Sequence, residues 1–175
     1  MDFQTSFFKY CPNCQSANFD FKDLIKFHCN DCDFVYFHNI AAAVAVIFTF
    51  EDKILFAVQN EDPDKGKLDL PGGFINPNEN AEEAASREVK EELDLDIQPT
   101  YLKYITTSPN IYLYKNVPYR TMDIFYECAL ASDKIAIKAK NEIKDLLWIK
   151  RNEIDLSMIG FVSIRTVIGE CYKEE

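Results

Sequence analysis

Residues 71–95 read Pro71-Gly72-Gly73-Phe74-Ile75-Asn76-Pro77-Asn78-Glu79-Asn80-Ala81-Glu82-Glu83-Ala84-Ala85-Ser86-Arg87-Glu88-Val89-Lys90-Glu91-Glu92-Leu93-Asp94-Leu95. A proline followed by two glycines ends a strand and frees the backbone for a path that other residues resist. Asn80 has the character of a helix N-cap, and Glu83 three positions on closes a capping box. The stretch therefore predicts a helix from about Ala81 to Leu93. Ala81, Ala85, Val89 and Leu93 recur every fourth residue and form its buried stripe. Glu88, Glu91 and Glu92 stand at i, i+3 and i+4, in one arc of about 100° that overlaps the edge of that stripe. Three like charges crowded there repel one another, which is costly unless a cation neutralises them. Hard oxygen ligands with no histidine on the helix favour Mg²⁺ or Mn²⁺ over zinc. On spacing alone, a plain exposed acidic face is the competing reading.

Upstream, Ala41–Thr49 and Lys53–Gln59 read as strands joined by Phe50-Glu51-Asp52. The apolar run from Ile40 to Phe50 suits a buried strand by length and Ala/Val/Ile content. Downstream, Thr121–Ala131 reads as a strand with Met122, Ile124, Tyr126 and Cys128 on one face. Asn152 to Glu170 reads as a C-terminal helix bearing Ile154, Met158, Phe161, Ile164, Val167 and Ile168. Helices around a mixed sheet, an α/β fold, are the expected outcome.

The first forty residues carry a different signal. Cys11-Pro12-Asn13-Cys14 and Cys29-Asn30-Asp31-Cys32 are two CxxC pairs with 14 residues between them. Two thiolates three positions apart on a tight turn face one ion, and two such knuckles complete a tetrahedral sulfur shell suited to zinc. Phe19, Phe21, Ile25 and Phe27 alternate between the knuckles like strand residues, so the segment reads as a zinc ribbon. A closed four-thiolate shell makes this Zn²⁺ structural, and in so small a unit the metal supplies much of the folding energy. A redox dithiol or a disulfide pair is the competing reading. Cys128 and Cys171 have no paired spacing and read as small, partly buried hydrophobes.

Composition bounds the rest. The 175 residues are 47% hydrophobic and 14% aromatic, which excludes general disorder. No apolar run reaches the length of a membrane span, about 18 residues. Nineteen basic against 29 acidic side chains give a net charge of −10. That balance argues against broad attraction to nucleic acid or anionic lipid. The start, Met1 to Thr5, lacks the basic and apolar regions of a signal peptide, so the cytoplasm is the expected compartment.

The string Gly73-x5-Glu79-x7-Arg87-Glu88-Val89-Lys90-Glu91-Glu92-Leu93-Asp94-Leu95 resembles the Nudix box, the signature of Nudix hydrolases. Every fixed position matches except Asp94, where the family usually has Gly. That position lies just past the helix, where a left-handed cap is expected, and Asp tolerates it better than most residues. Lys65 to Gly73 is similar to the family's lead-in, and Glu142 with Leu147-Trp148-Ile149 to its late acidic loop and Trp-bearing strand. A ribbon ahead of the box occurs in one Nudix subgroup. The resemblance implies a Nudix α/β/α sandwich with a mixed sheet, over residues 39–175, preceded by the four-cysteine ribbon at 1–38.

The resemblance further implies Mg²⁺- or Mn²⁺-dependent cleavage of the phosphoanhydride of a nucleoside diphosphate linked to another group. Glu88, Glu91, Glu92 and the Gly72 carbonyl would ligate the metal, and Glu79 would pair with Arg87 behind them. Glu91 and Glu142 are both candidates for the general base. Glu142 reads equally as a solvated loop residue. Pro109 lies fifteen residues past Asp94, a spacing associated in the family with ADP-ribose hydrolases. The ribbon instead suggests NADH pyrophosphatases, whose Pro- and aromatic-rich stretch after the box is not matched by Thr107 to Tyr112. Nucleoside triphosphate pyrophosphohydrolysis and a non-catalytic nucleotide-sensing module are further alternatives. Tyr112, Tyr114 and Tyr119 read as base-stacking or core residues, and Gln59 stands where many relatives have Arg. A small-molecule nucleotide is the expected partner, without membrane or nucleic acid, and a homodimer is left open.

Overall fold

The computed structural model describes residues 8–22, 25–62, 64–114 and 117–172. The Met1–Thr5 start and the side chain of Tyr114 lie outside them. Two compact units emerge: residues 1–40 with 113–119, and residues 41–112 with 120–175.

In the first unit, β1 (Phe19–Lys22), β2 (Lys26–Cys29) and β3 (Val35–Phe37) form an antiparallel three-stranded sheet in sequence order. Its core is small: Phe27 is fully buried, stacked on Phe19 at 4.7 Å between ring centroids, with Cys11 and Cys29 beside it. Ile25, expected in the alternating strand pattern, lies in the turn before β2 and is exposed. The third strand has no counterpart in the sequence reading, because its three residues are all exposed and present no alternation.

The second unit is built on β4 (Ala41–Phe50), β5 (Lys53–Gln59), β6 (Leu68–Asp69), β7 (Gly72–Phe74), β10 (Ile143–Lys150) and the greater part of β8 (Lys103–Tyr114) and β9 (Val117–Ala129), whose residues 113–119 group with the first unit. The strand order is β10-β5-β4-β9-β8, with β6 on β5 and β7 on β4. The sheet is mixed: β4 and β9 run parallel from Ala41↔Thr121 to Thr49↔Ala129, while β5 and β10 run antiparallel. Side chains alternate along β4. Val44, Val46 and Phe48 pack under α1 (Ala81–Leu93), against Ala84, Ala85, Val89 and Leu93. Ala45 and Ile47 pack under α2 (Val162–Cys171), against Ile164, Val167 and Ile168. Both faces are covered, which is why β4 reads as one continuous apolar run. The result is the α/β/α sandwich.

One irregularity positions everything that follows. β4 and β5 pair only at Thr49↔Ile54 and Phe50↔Lys53 and then diverge. The gap is filled by residues 68–74: β6 pairs β5 at Val58↔Leu68 and Ala57↔Asp69, and β7 pairs β4 at Ala45↔Gly72, Val44↔Gly73 and Ala43↔Phe74. Gly72 sits at φ +153°, and a Cβ there would lie 2.0 Å from the Val44 carbonyl oxygen. That backbone cannot move without breaking the β4 ladder. Gly72→Ala is therefore expected to lower the melting temperature by more than about 10 °C or to abolish soluble expression, several kcal/mol at the usual scale of heat-unfolding entropy. A thermal melt of the variant checks this.

The capping box of α1 is present in both halves: Asn80 Oδ1 accepts from the Glu83 amide at 2.8 Å, and Glu83 Oε2 from the Asn80 amide at 2.9 Å. Asp94 ends the helix at φ 57°, ψ 24°, the left-handed cap, and its carboxylate reaches Lys90 at 3.0 Å and Lys138 at 3.6 Å. Elsewhere the sequence expectations need correction. The C-terminal helix begins at Val162, ten residues later than expected. Ile154 and Ile159 are buried, but in turns and a bridge; the Gly160 amide donates to Leu68 O, and Ile159 pairs with Leu68. This tertiary anchoring overrides the helical spacing. Cys171 is exposed rather than partly buried. Pro109 lies within β8, a strand at the end of the sheet order, where a missing N–H is tolerated. Among the described residues no helix is long and apolar enough to cross a membrane.

Candidate functional site

The gap between β4 and β5 opens into a cavity of about 480 Å³. Its small lining residues, Ala43, Ala45, Ala57, Gly72 and Gly73, leave room for acids to enter. Glu92 is partly buried, and its Oε2 accepts from the Gly72 amide at 3.1 Å. Burial pushes its carboxyl well above the ordinary range, and the charges of Asp69, Glu88 and Glu142 add to this. Glu88 is half-buried, and burial pushes it up too; Arg87 Nη1, donating to its Oε1 at 2.8 Å, opposes the rise. Asp69, on β6, is buried and pushed up to about 7 by desolvation and by the charges of Asp64 and Asp123, against hydrogen bonds from the Leu70 amide and Gln59.

Arg87 organises the rim. Its Nε and Nη2 donate to Glu79 at 2.9 and 2.6 Å, and Nη2 also reaches Phe74 O at 3.0 Å. The guanidinium, helped by the Asn76 amide, holds the Glu79 carboxyl down to about 2. The fork thus ties the loop of residues 74–79 onto α1, leaving Glu79 outside the cavity lining. Glu91 also stands outside the lining: its side chain is 60% exposed and turns toward Arg87 Nη1 at 3.3 Å. The sequence grouped Glu88, Glu91 and Glu92 in one arc, and the structure brings only Glu88 and Glu92 into the cavity. Glu142 does line it. Its loop is fastened to the end of α1, where the Lys138 and Ala139 amides donate to Glu92 O at 2.8 and 3.1 Å, and the Asn60 amide donates to Glu142 O at 2.8 Å.

Three acids of the cavity lining, Glu61, Asp69 and Asp123, are absent from the site residues expected from sequence. Glu61 sits in the polar loop after β5, where an acid carries no distinguishing signal. Asp69 was visible only as part of the lead-in to the glycines. Asp123 stands inside the apolar strand β9, and its signal in the sequence is a lone acid in Thr121-Met122-Asp123-Ile124 on the face opposite Met122 and Ile124. The Tyr112 ring lies 5.8 Å from both Phe74 and Phe161, and all three line the cavity. Pro109 and Tyr119 are not among the lining residues, while Gln59 is. Mutually repelling, desolvated carboxylates fit a hard divalent cation, which would supply the charge they lack.

The four cysteines of the first unit form a second centre. Their sulfurs lie within 4.8 Å of one another, with Cys11–Cys32 at 3.7 Å and Cys14–Cys29 at 3.5 Å. A tetrahedron with Zn–S bonds of about 2.3 Å has S···S edges of roughly 3.8 Å. The two knuckles repeat one backbone pattern. Gln15 and Asp33, each just after a pair, have φ of 62° and 57°. Their amides donate back to Cys11 O and Cys29 O, and the Cys11 and Cys29 amides donate to Ser16 O and Phe34 O. Geometry and donor type both fit zinc.

An α/β/α sandwich with an acid-lined gap beside a Gly-Gly strand and a Glu–Arg-clamped helix defines a known class of domain. The NUDIX domain pattern matches residues 38–165, and the chain belongs to that family. It is 31% identical over 101 residues to the NAD-capped RNA hydrolase NudC of Escherichia coli O157:H7, covering 58% of this chain and 38% of that protein. It is 40% identical over 76 residues to an ADP-ribose pyrophosphatase of Methanocaldococcus jannaschii, covering 43% of this chain and 44% of that one. The chain thus spans less than half the length of these curated relatives. Among solved structures, a NUDIX hydrolase from Nitrosomonas europaea aligns over 94% of this chain and 92% of its own, with a TM-score of 0.64 at 20% identity. The NUDIX domain of Shewanella oneidensis NrtR complexed with ADP ribose aligns over 75% and 86%, with a TM-score of 0.59 at 20% identity.

Proposed function

We propose that the protein is a Mg²⁺- or Mn²⁺-dependent hydrolase of a nucleoside diphosphate joined to a second group, with ADP-ribose the favoured substrate. The observation that carries this reading is Glu92, partly buried on the Gly72 amide, inside a cavity it shares with Glu88, Asp69 and Glu142. Uncompensated, that much buried like charge is unfavourable; with divalent cations it becomes a binding site. Metal ions there would neutralise the diphosphate and acidify a bound water. Glu88, Glu92 and the Gly72 carbonyl would hold the metal, and Glu91, now turned to Arg87, would join them if its side chain swung inward. Arg87 and Glu79 fix the loop and the helix relative to each other, a positioning role. Glu142 or Glu91 takes the proton of the attacking water. Water adds its oxygen to one phosphorus, the P–O–P bridge breaks, and the leaving phosphate keeps the bridging oxygen and gains a proton.

Two relatives support the substrate class by the names they carry, ADP-ribose pyrophosphatase and NAD-capped RNA hydrolase. The second favours a dinucleotide such as NADH as the alternative. The four cysteines hold a structural zinc, and the cytoplasm is the proposed setting. The test is incubation with Mg²⁺ and, separately, ADP-ribose, NADH and nucleoside triphosphates, with products separated by chromatography. AMP from ADP-ribose, formed faster than from NADH, is the expected result. Faster cleavage of NADH moves the assignment to dinucleotides, and monophosphates from triphosphates alone would refute it.

A further inference from the structure

Beside the acids at the gap, the cavity lining holds a further carboxylate whose charge also acts on Asp69. This is Asp123 on β9, beside Ala43 on β4, which in turn pairs with Phe74 on β7. Asp123 is only 8% exposed. Its two oxygens accept from two hydroxyls: Thr121 Oγ1 to Oδ1 at 2.7 Å, and Ser163 Oγ, in the first turn of α2, to Oδ2 at 2.6 Å. A carboxylate has about four acceptor positions, so two remain open. Each oxygen has one donor and room for a second, and Asp123 lines the cavity, where a ligand can supply it. The neighbouring lining is the Phe74–Tyr112–Phe161 row, with Asn110 on the same strand as Tyr112. Apolar rings around one fixed acceptor suit a flat, uncharged group that carries an O–H or N–H. A phosphate would be repelled there, so the diphosphate belongs with the acids that hold metal.

We infer that Asp123, clamped by Thr121 and Ser163, is a specificity-determining acceptor for an uncharged donor on the nucleoside part of the substrate, a ribose hydroxyl or a base amino group. This rests on the proposed nucleotide site but goes beyond it to how the nucleoside is chosen. Asn fits in place of Asp, because a serine or threonine hydroxyl can turn to accept a hydrogen bond. Asp123→Asn therefore tests recognition rather than packing.

The probes are AMP, 2′-deoxy-AMP, 3′-deoxy-AMP and purine riboside 5′-monophosphate, bound without added metal and followed by calorimetry. The wild type should bind AMP at least about tenfold more tightly than the analogue lacking the recognised donor, the cost of one unmade buried hydrogen bond. Asp123→Asn should lose that preference and bind AMP about tenfold more weakly, with KM for ADP-ribose raised and kcat little changed. Which analogue is disfavoured separates sugar from base. If Asp123→Asn does not fold, Ser163→Ala, which keeps the carboxylate and removes one clamp, should show the same KM rise with kcat retained. Unchanged AMP binding and KM in the variant, or a wild type that binds no nucleotide, would overturn the inference. Preference lost in Asp123→Asn, from a wild type that hydrolyses no diphosphate, would instead sink the hydrolase reading and leave this one standing.

Discussion

Glu92→Gln should yield a folded protein whose turnover falls by at least about a hundredfold, the scale of losing a group essential to metal-assisted chemistry. Folding is retained because Gln is isosteric and its carbonyl still accepts from the Gly72 amide, the one hydrogen bond Glu92 makes to this backbone. Removing the charge should even stabilise the metal-free protein. Both Glu92 and Asp69 are raised in the fold, Asp69 to about 7, with desolvation the first cause. A carboxyl raised by folding costs nothing below its unfolded value, about 4. Its penalty grows as pH climbs to the folded value and is constant above it. Metal-free wild type should therefore lose stability as pH climbs above about 4, through about pH 7 for Asp69, and Glu92→Gln should show a flatter profile. Added Mg²⁺ should raise the wild-type melting temperature more at pH 8 than at pH 5, where protons already neutralise the acids. Melts across that pH range, with and without Mg²⁺, check both claims. Equal activity in the variant, or Mg²⁺ protection that does not increase with pH, would contradict them.

Cys29→Ser should remove one equivalent of zinc per chain and unfold the small β1–β3 sheet. Cys29 is fully buried beside Phe27, and the apolar core of that unit is little more than Cys11, Phe27 and Cys29 with the rings around them. So little burial does not hold forty residues, whereas zinc on four thiolates supplies roughly 10–16 kcal/mol of apparent binding free energy. Elemental analysis should give one zinc in the wild type and none in the variant. Limited proteolysis should then cut the variant within residues 8–40 first. A wild type without zinc whose ribbon resists proteolysis would show that the four sulfurs serve another purpose.

What was legible in the sequence was local. The capping box at Asn80 and Glu83, the four-residue repeat of Ala81, Ala85, Val89 and Leu93, and the left-handed cap at Asp94 depend on neighbours along one helix, and the helix has the bounds read for it. The Arg87–Glu79 fork was legible because motif and spacing together place the two side by side. The four cysteines were legible because metal chemistry ties spacing to geometry. What was hidden depends on pairing between distant segments. Ile154, Met158 and Phe161 have helical spacing, yet the Gly160 amide is held by Leu68 O and the helix cannot start before Val162. Asp69 and Asp123 face the cavity only because β4 and β5 diverge, which nothing in either strand announces. Glu91 shows the limit of an angular argument: its backbone position is the expected one, but its side chain goes to Arg87 and solvent.

We propose that the acids lining the β4–β5 gap hold divalent cations for hydrolysis of a diphosphate bridge. This is tested most directly by incubating the protein with ADP-ribose and Mg²⁺ in H₂¹⁸O and analysing the products by mass spectrometry. The expected products are AMP and ribose 5-phosphate, one ¹⁸O on one of the two, with complete inhibition by a chelator. Intact ADP-ribose after prolonged incubation with either Mg²⁺ or Mn²⁺, or product formation indifferent to the chelator, would contradict the proposal.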